Sequence, residues 1–144
     1  MRSMSSRESP SVLHAVADLL SKQVTSDRLL RAMVDRVVEE MDAERGTLYL
    51  LDAHTGELRS RVAHLPEMDE IRLSPGQGVA GHVAETGETV IVPDTSRDAH
   101  FFPGIDQATG YTTRNMLVVP VRDDEGAIRG VLQVLNKKQG DFDD

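Results

Sequence analysis

The hydrophobic period of this chain changes at Gly46, and that change limits the possible folds more than any other feature. Before it, Leu29, Leu30, Met33, Val34, Val37, Val38 and Met41 form a wide apolar stripe at helical spacing, out to about residue 43. After it the period is 2. Thr47 to Leu51 reads as a strand, and Leu58 to His64 alternates as a second, with Arg59 and Arg61 on the wet side. Ile71 to Leu73, Thr89 to Val92, Met116 to Val121 and Ile128 to Leu135 read as further strands. Turn chemistry at Asp52 to Gly56 and at Asp123 to Gly126 separates neighbouring runs. Helices come first, then strands with an inserted helical layer, then a hairpin. That order is α+β with an antiparallel sheet.

The inserted layer begins in the stretch 74–87, which runs Ser-Pro-Gly-Gln-Gly-Val-Ala-Gly-His-Val-Ala-Glu-Thr-Gly. A proline-stiffened turn and three glycines lead into a short helix over 79–85, and Gly87 stops it. A helix start reached through glycines exposes backbone N–H groups, and its dipole favours negative charge. Small residues there let a ligand approach the backbone closely. This is an anion-accepting floor for a small molecule, or else a tight turn and nothing more. The string also fits G-x-G-x-x-G. Ser74 and Pro75 interrupt the strand that a dinucleotide site requires, and the helix is too short.

Residues 94–114 lack any hydrophobic period. A loop of this length in a compact domain is functional or disordered. Phe101 and Phe102 argue for order, anchoring the segment as a lid with one helical turn through Asp106 to Thr109. Upstream, residues 1–10 read as a disordered leader. Residues 11–24 read as an amphipathic helix whose stripe of Val12, Val16, Leu19 and Leu20 suits a homodimer.

Net charge is −8, from 16 basic and 24 acidic side chains. With no basic stripe, neither nucleic acid nor an anionic membrane is an expected partner. No apolar run or signal segment points away from the cytoplasm. Cysteine is absent, which removes thiolate metal sites and thiol nucleophiles. The five histidines show no paired spacing. Asp94, Asp98 and His100 can converge on a metal, but no metal is assigned. No catalytic constellation stands out, so the chain does not read as an enzyme. Arg114 reads as a local ion-pair partner or a ligand contact. Gln133, an amide on an otherwise apolar strand, needs a partner from a neighbouring strand or from a ligand.

Pro-Gly-Gln-Gly-Val-Ala-Gly-His-Val-Ala (75–84), Val-Pro-Asp (92–94), Phe101, Thr-Gly-Tyr-Thr-Thr-Arg-Asn (109–115), Gly-Val-Leu-Gln-Val-Leu-Asn-Lys (130–137) and Phe142 closely resemble GAF domains. The resemblance covers 25–144 and is strongest to the subtype in cyclic-nucleotide phosphodiesterases and bacterial adenylyl cyclases. It implies a six-stranded antiparallel sheet, with the N-terminal helices on one face and a ligand-pocket helix and lid on the other. It implies a regulatory sensor feeding an output domain, whose connecting helix is not in this sequence. Carried over by motif, the ligand-binding positions are Thr47 on the first strand, Val79 and Ala80 at the helix start, and Gln133 on the last strand. Phe102, Asp106, Thr109 and Thr113 fall in the lid. The aromatic that stacks on a purine in nucleotide-binding members is replaced by Ala63, beside His64. Asn136, Lys137 and Phe142 match an Asn-Lys…Phe…Asp-Glu signature, but the chain ends before the acidic pair, which leaves open what Lys137 meets.

Two functions follow from this reading. One is a small-molecule sensor with cyclic AMP or cyclic GMP as the possible ligand and no required cofactor. The other is a ligand-free dimerisation or protein-interaction module on the same fold. The free-methionine-sulfoxide reductases of this fold use cysteines, and this chain has none.

Overall fold

The computed structural model describes residues 27–63, 70–101 and 103–142. The expected leader, the helix over 11–24 with its dimer stripe, His64 and Phe102 lie outside them. The first element is helix α1 (Asp27–Glu40), followed by strands β1 (Ala43–Leu51), β2 (Leu58–Ala63) and β3 (Arg72–Leu73). Helix α2 (Gly78–Thr86) and strand β4 (Val90–Val92) come next, then a 3-10 turn (Thr95–Arg97) and helix α3 (Gly104–Thr109). Strands β5 (Met116–Arg122) and β6 (Ile128–Lys137) complete the sheet. Its order is β3-β2-β1-β6-β5-β4, with every neighbouring pair antiparallel.

Period-2 alternation in the central strands builds two cores. Leu48, Leu132 and Val134 face α1, where they meet Leu30, Val34, Val37 and Val38. Tyr49, Val118, Val131 and Leu135 face the other way, onto Val79, Ala80 and Val83 of α2. Phe101, Ile105 and Tyr111 pack on that second core, so the lid segment lies on the face opposite α1.

Helix α1 seats directly on β1 at Gly46. A Cβ there would lie 2.6 Å from Val38 Cγ2 and 3.2 Å from Val34 Cγ1. Gly46 therefore marks the helix seat as well as the change of period. The same device holds α2, where a Cβ on Gly81 would lie 2.7 Å from the Gly76 carbonyl carbon.

Three details differ from the sequence reading. The first helix ends at Glu40 and β1 starts at Ala43, ahead of the expected Thr47. The polar residues 44 and 45 hide that strand start, and pairing with β6 decides it. Strand β6 likewise runs on past Leu135 to Lys137. In β2 the alternation breaks. Leu48 faces Val62 and Tyr49 faces Ser60, so Arg61 is an extra, bulged residue. Leu58 then enters the α2 core and Val62 the α1 core, although strict alternation would put both on one face. Arg61 is half-buried, while Arg59 is exposed as expected.

Gly46→Ala should destabilise the fold by about 1–3 kcal/mol through overpacking against α1. Adding Val38→Ala frees the space that the new methyl needs, so the double variant should lose less than the sum of the two single changes. Urea unfolding midpoints of the three variants measure this, and strict additivity would contradict the seating argument.

Candidate ligand-binding site

The sequence builds the floor of a cavity from the start of α2. Gln77 stands at the N-cap position but makes no capping bond with its side chain. Its Oε1 instead turns back to accept from the Ser74 N–H at 2.9 Å. No acidic residue occupies the first turn of α2. The first-turn N–H groups thus keep their dipole uncompensated by any side chain. Gly78, Val79 and Ala80 line the cavity above them.

The walls come from the pocket face of the sheet, through Tyr49, Met116, Gln133 and Leu135, and from Leu73. This face of the central strands carries buried polar side chains. Thr47 and Gln133 lie directly opposite each other in the β1–β6 ladder, and both are buried. Thr47 Oγ1 is fully buried with no hydrogen-bond partner among the described residues. An orphaned buried hydroxyl costs about 1–3 kcal/mol and is a natural point for a ligand to satisfy. Tyr49 is also fully buried. Burial raises the pKa of its hydroxyl, and a hydrogen bond with Gln133 acts in the opposite sense.

Phe101, Ile105, Asp106, Tyr111 and Thr113 close the cavity from the lid. Specific bonds, more than packing, fold this lid. Asp106 accepts from the Thr113 backbone N–H at 2.7 Å and from Thr113 Oγ1 at 2.8 Å. Thr95 Oγ1 donates to the Thr113 carbonyl at 2.6 Å. The rings of His82 on α2 and His100 in the lid stack with centroids 4.0 Å apart. Beyond the rim, Tyr111 Oη donates to Glu44 Oε1 at 2.7 Å, and the Arg45 guanidinium lies 3.9 Å from the centre of the Tyr111 ring. The Tyr111 bond, aided by Asn136 and Arg114, holds the Glu44 carboxyl below its ordinary value of 4.5.

Closed in this way, the cavity holds about 30 Å³ of free volume. That suits a water molecule or two. A site enclosing a drug-sized ligand has on the order of 300–1,000 Å³.

Of the positions singled out in the sequence, Val79, Ala80, Asp106, Thr113 and Gln133 meet around this cavity. Thr47 is buried beside Gln133, and Ala63 pairs with Thr47 in the β1–β2 ladder. Thr109 ends α3, which starts at Gly104, two residues before the expected turn. Asp106 sits in the first turn of α3 and bonds the lid. Arg114 pairs with Glu44 at 3.4 Å. Asp94 caps the 3-10 turn through Ser96, and Asp98 accepts from the His100 backbone. Among the described residues no three acidic or histidine side chains gather around a common point. Tyr49 and Tyr111 were missed as lining residues. Tyr49 shares a strand face with Thr47, the position that the resemblance singled out, so strand alternation from Thr47 held the signal for it. Tyr111 lies in an aperiodic loop and carries no such signal.

A family model described as GAF domain matches residues 25–144. The chain is similar to the dual 3',5'-cyclic-AMP and -GMP phosphodiesterase 11 of Drosophila melanogaster, at 33% identity over 142 residues, covering 85% of this chain and 10% of that protein. It is similar to the dual 3',5'-cyclic-AMP and -GMP phosphodiesterase 11A of Takifugu rubripes, at 38% identity over 109 residues, covering 67% and 12% respectively. The chain thus spans a small part of the length of these relatives. Among solved structures, its fold matches the A. aeolicus nlh2 GAF domain in an inactive state with a TM-score of 0.67 and 15% identity, covering 97% of this chain and 83% of that one. A free methionine-R-sulfoxide reductase from Neisseria meningitidis in complex with its substrate matches with a TM-score of 0.69 and 22% identity, covering 99% and 81%. No described helix is long and apolar enough to cross a membrane.

The rim pair makes a pH-dependent contribution. The pKa of Glu44 is depressed in the folded chain, so its stabilisation is present above about 4.5 and is lost as pH falls through the folded value. Glu44→Gln should therefore be less stable than wild type at neutral pH, and the gap should close as the pH falls below the ordinary carboxyl value and through the depressed folded one. Urea midpoints against pH for the two proteins check this. A gap that is constant with pH would mean that the carboxylate charge contributes nothing.

Proposed function

The chain belongs to the GAF-domain family, a family of regulatory domains, and from that premise we propose that it senses a cyclic nucleotide on behalf of an output domain in a longer signalling protein. The observation that carries the proposal is the cavity floor. It presents uncapped backbone N–H groups of α2 beneath a lid, with the orphaned Thr47 hydroxyl and the Gln133 amide in the buried face alongside. In a chain of net charge −8 an anionic ligand needs local donors, and a helix start supplies them without a basic side chain. The cyclic phosphate would sit at Val79 and Ala80, with the sugar and base toward Thr113 and Gln133. Gln133 carries both a donor and an acceptor, so it meets either purine edge. The names of the two phosphodiesterase relatives, which report cyclic AMP and cyclic GMP chemistry for those proteins, support the ligand class. The role is one of binding and relay, without catalysis in this domain, and two copies would pair through the sequence 11–24.

The closed cavity is far smaller than a nucleotide. Binding on this reading requires the lid over 94–114 to open and close again around the ligand. The affinity is then reduced by the fraction of molecules that are open. Closure shifts the equilibrium of the flanking helices only as far as the ligand binds the two states differently, typically by about 1–3 kcal/mol. The same small volume favours the alternative, an interaction module that keeps the fold and binds no nucleotide.

Calorimetric titration with cyclic AMP and cyclic GMP separates the two readings. Wild type should bind at least one of them. Ala80→Asp places a carboxylate beside the phosphate and should weaken binding at least tenfold, about 1.4 kcal/mol. Gln133→Leu should weaken it less. If wild type binds neither nucleotide at about millimolar concentration, an affinity near −4 kcal/mol, the interaction-module reading replaces this one.

A further inference from the structure

Asn136 is fully buried and has a left-handed backbone, φ 56°. Asparagine tolerates that conformation better than other residues with a side chain. Its Oδ1 accepts from the backbone N–H groups of Arg114 at 2.6 Å and Asn115 at 3.2 Å. Its Nδ2 donates to the Thr112 carbonyl and to Tyr111 Oη, both at 2.8 Å. An amide side chain offers two acceptor sites and two donors, and all four are taken. These four partners lie in 111–115, the strap that returns the lid to the sheet, and Nδ2 also approaches Glu44 Oε1 of β1 at 3.4 Å. The backbone reinforces the hold, since the Asn136 N–H donates to the Asn115 carbonyl and the Lys137 N–H to Asn115 Oδ1.

The next residue reaches the other face of the sheet. Lys137 Nζ donates to the Met41 carbonyl at 2.6 Å, at the end of α1. Helix α1 has no basic residue in its own last turn. Lys137 therefore brings the one kind of charge that a helix C-terminus favours, from a different element. The Lys138 N–H donates to the Asp42 carbonyl in the same corner. Glu44, two residues further along, is the acceptor for Tyr111. The lid strap and the end of α1 are thus held by consecutive residues of one strand end.

We infer that Asn136 and Lys137 form a clasp that couples the lid to the C-terminal end of α1, with Asn136 as the residue that positions the strap. A lid that opens pulls on 111–115. That load falls on the turn of β6 which also carries the cap of α1. The idea rests on the lid assignment made above, but not on which ligand binds, so its test uses the ligand-free chain.

The test is residue-level amide hydrogen exchange on the whole chain. Asn136→Gly and Asn136→Asp both tolerate the left-handed backbone. The first removes the side chain, and the second keeps an acceptor but loses both donors. Each should speed exchange by about tenfold at 112–115 and also at 38–42, while the β6 interior at 131–134 changes far less. Lys137→Met removes the ammonium from α1 without touching the strap. Coupling is reciprocal, so it should speed exchange at 113–115 as well as at 38–42. Tyr111→Phe removes one of the four partners and should give a smaller change in the same two segments. If the Asn136 variants do not fold, Lys137→Met and Tyr111→Phe decide the matter alone. Strap exchange that rises while 38–42 stays at the wild-type rate overturns the proposal. So does a Lys137→Met effect confined to α1, no change at either segment, or uniform acceleration that includes 131–134.

Discussion

The pairing of β1 with β6 is the constraint on which the other elements depend. It joins Ala43 to Lys137 at one end and Leu50 to Gly130 at the other, and so brings residues about ninety positions apart into register. On one side of this seam β2 and β3 follow in sequence, and on the other β5 and β4. Each half is a set of neighbours that cannot cover its own apolar faces. The seam makes one sheet of them with two buried faces. The α1 face is closed by a cluster of apolar side chains. The α2 face carries Thr47, Tyr49 and Gln133 in the middle of the sheet, where polar groups are hardest to satisfy. The pocket exists because that face is not filled by hydrocarbon.

The two layers that cover these faces differ in kind. Helix α1 lies hard against Gly46, so it has little freedom to shift without loss of packing. The lid is held by bonds from Asp106, Thr95 and Asn136 to a short strap. Each such bond contributes about 0.5–1.5 kcal/mol net. A layer held by a few polar bonds over a small apolar contact can open at a modest cost, whereas a packed helix cannot. This division suits a sensor, in which one face changes and the other passes the change on.

Lys137 ties that division to the sequence signature. With no acidic partner for it among the described residues, the structure gives it the C-terminal carbonyl of α1 and the ring of Phe142, 5.9 Å away. Phe142 is itself buried in the α1 core. The Asn-Lys…Phe pattern therefore has a physical reading within this chain. Asparagine holds the lid strap, lysine caps the helix, and phenylalanine closes the core beneath it.

By itself the sequence determined the helix stripe, the succession of strands along the chain and the turns between them, because each is read from apolar period or turn residues within a short window. It also singled out the glycine-led start of α2 and Gln133, an amide that interrupts an otherwise apolar strand, while Thr47 came only from the resemblance to the family. Only the tertiary structure decided what depends on distant partners. The bulge at Arg61 sends Leu58 and Val62 into opposite cores, and its cause is register with β1. The side chain of Gln77 turns to Ser74 and leaves the helix start uncapped. Tyr111 enters the site because Glu44, sixty-seven residues away, holds its hydroxyl. The size of the cavity was likewise beyond sequence, since free volume is set by how closely lid and floor pack once both are in place.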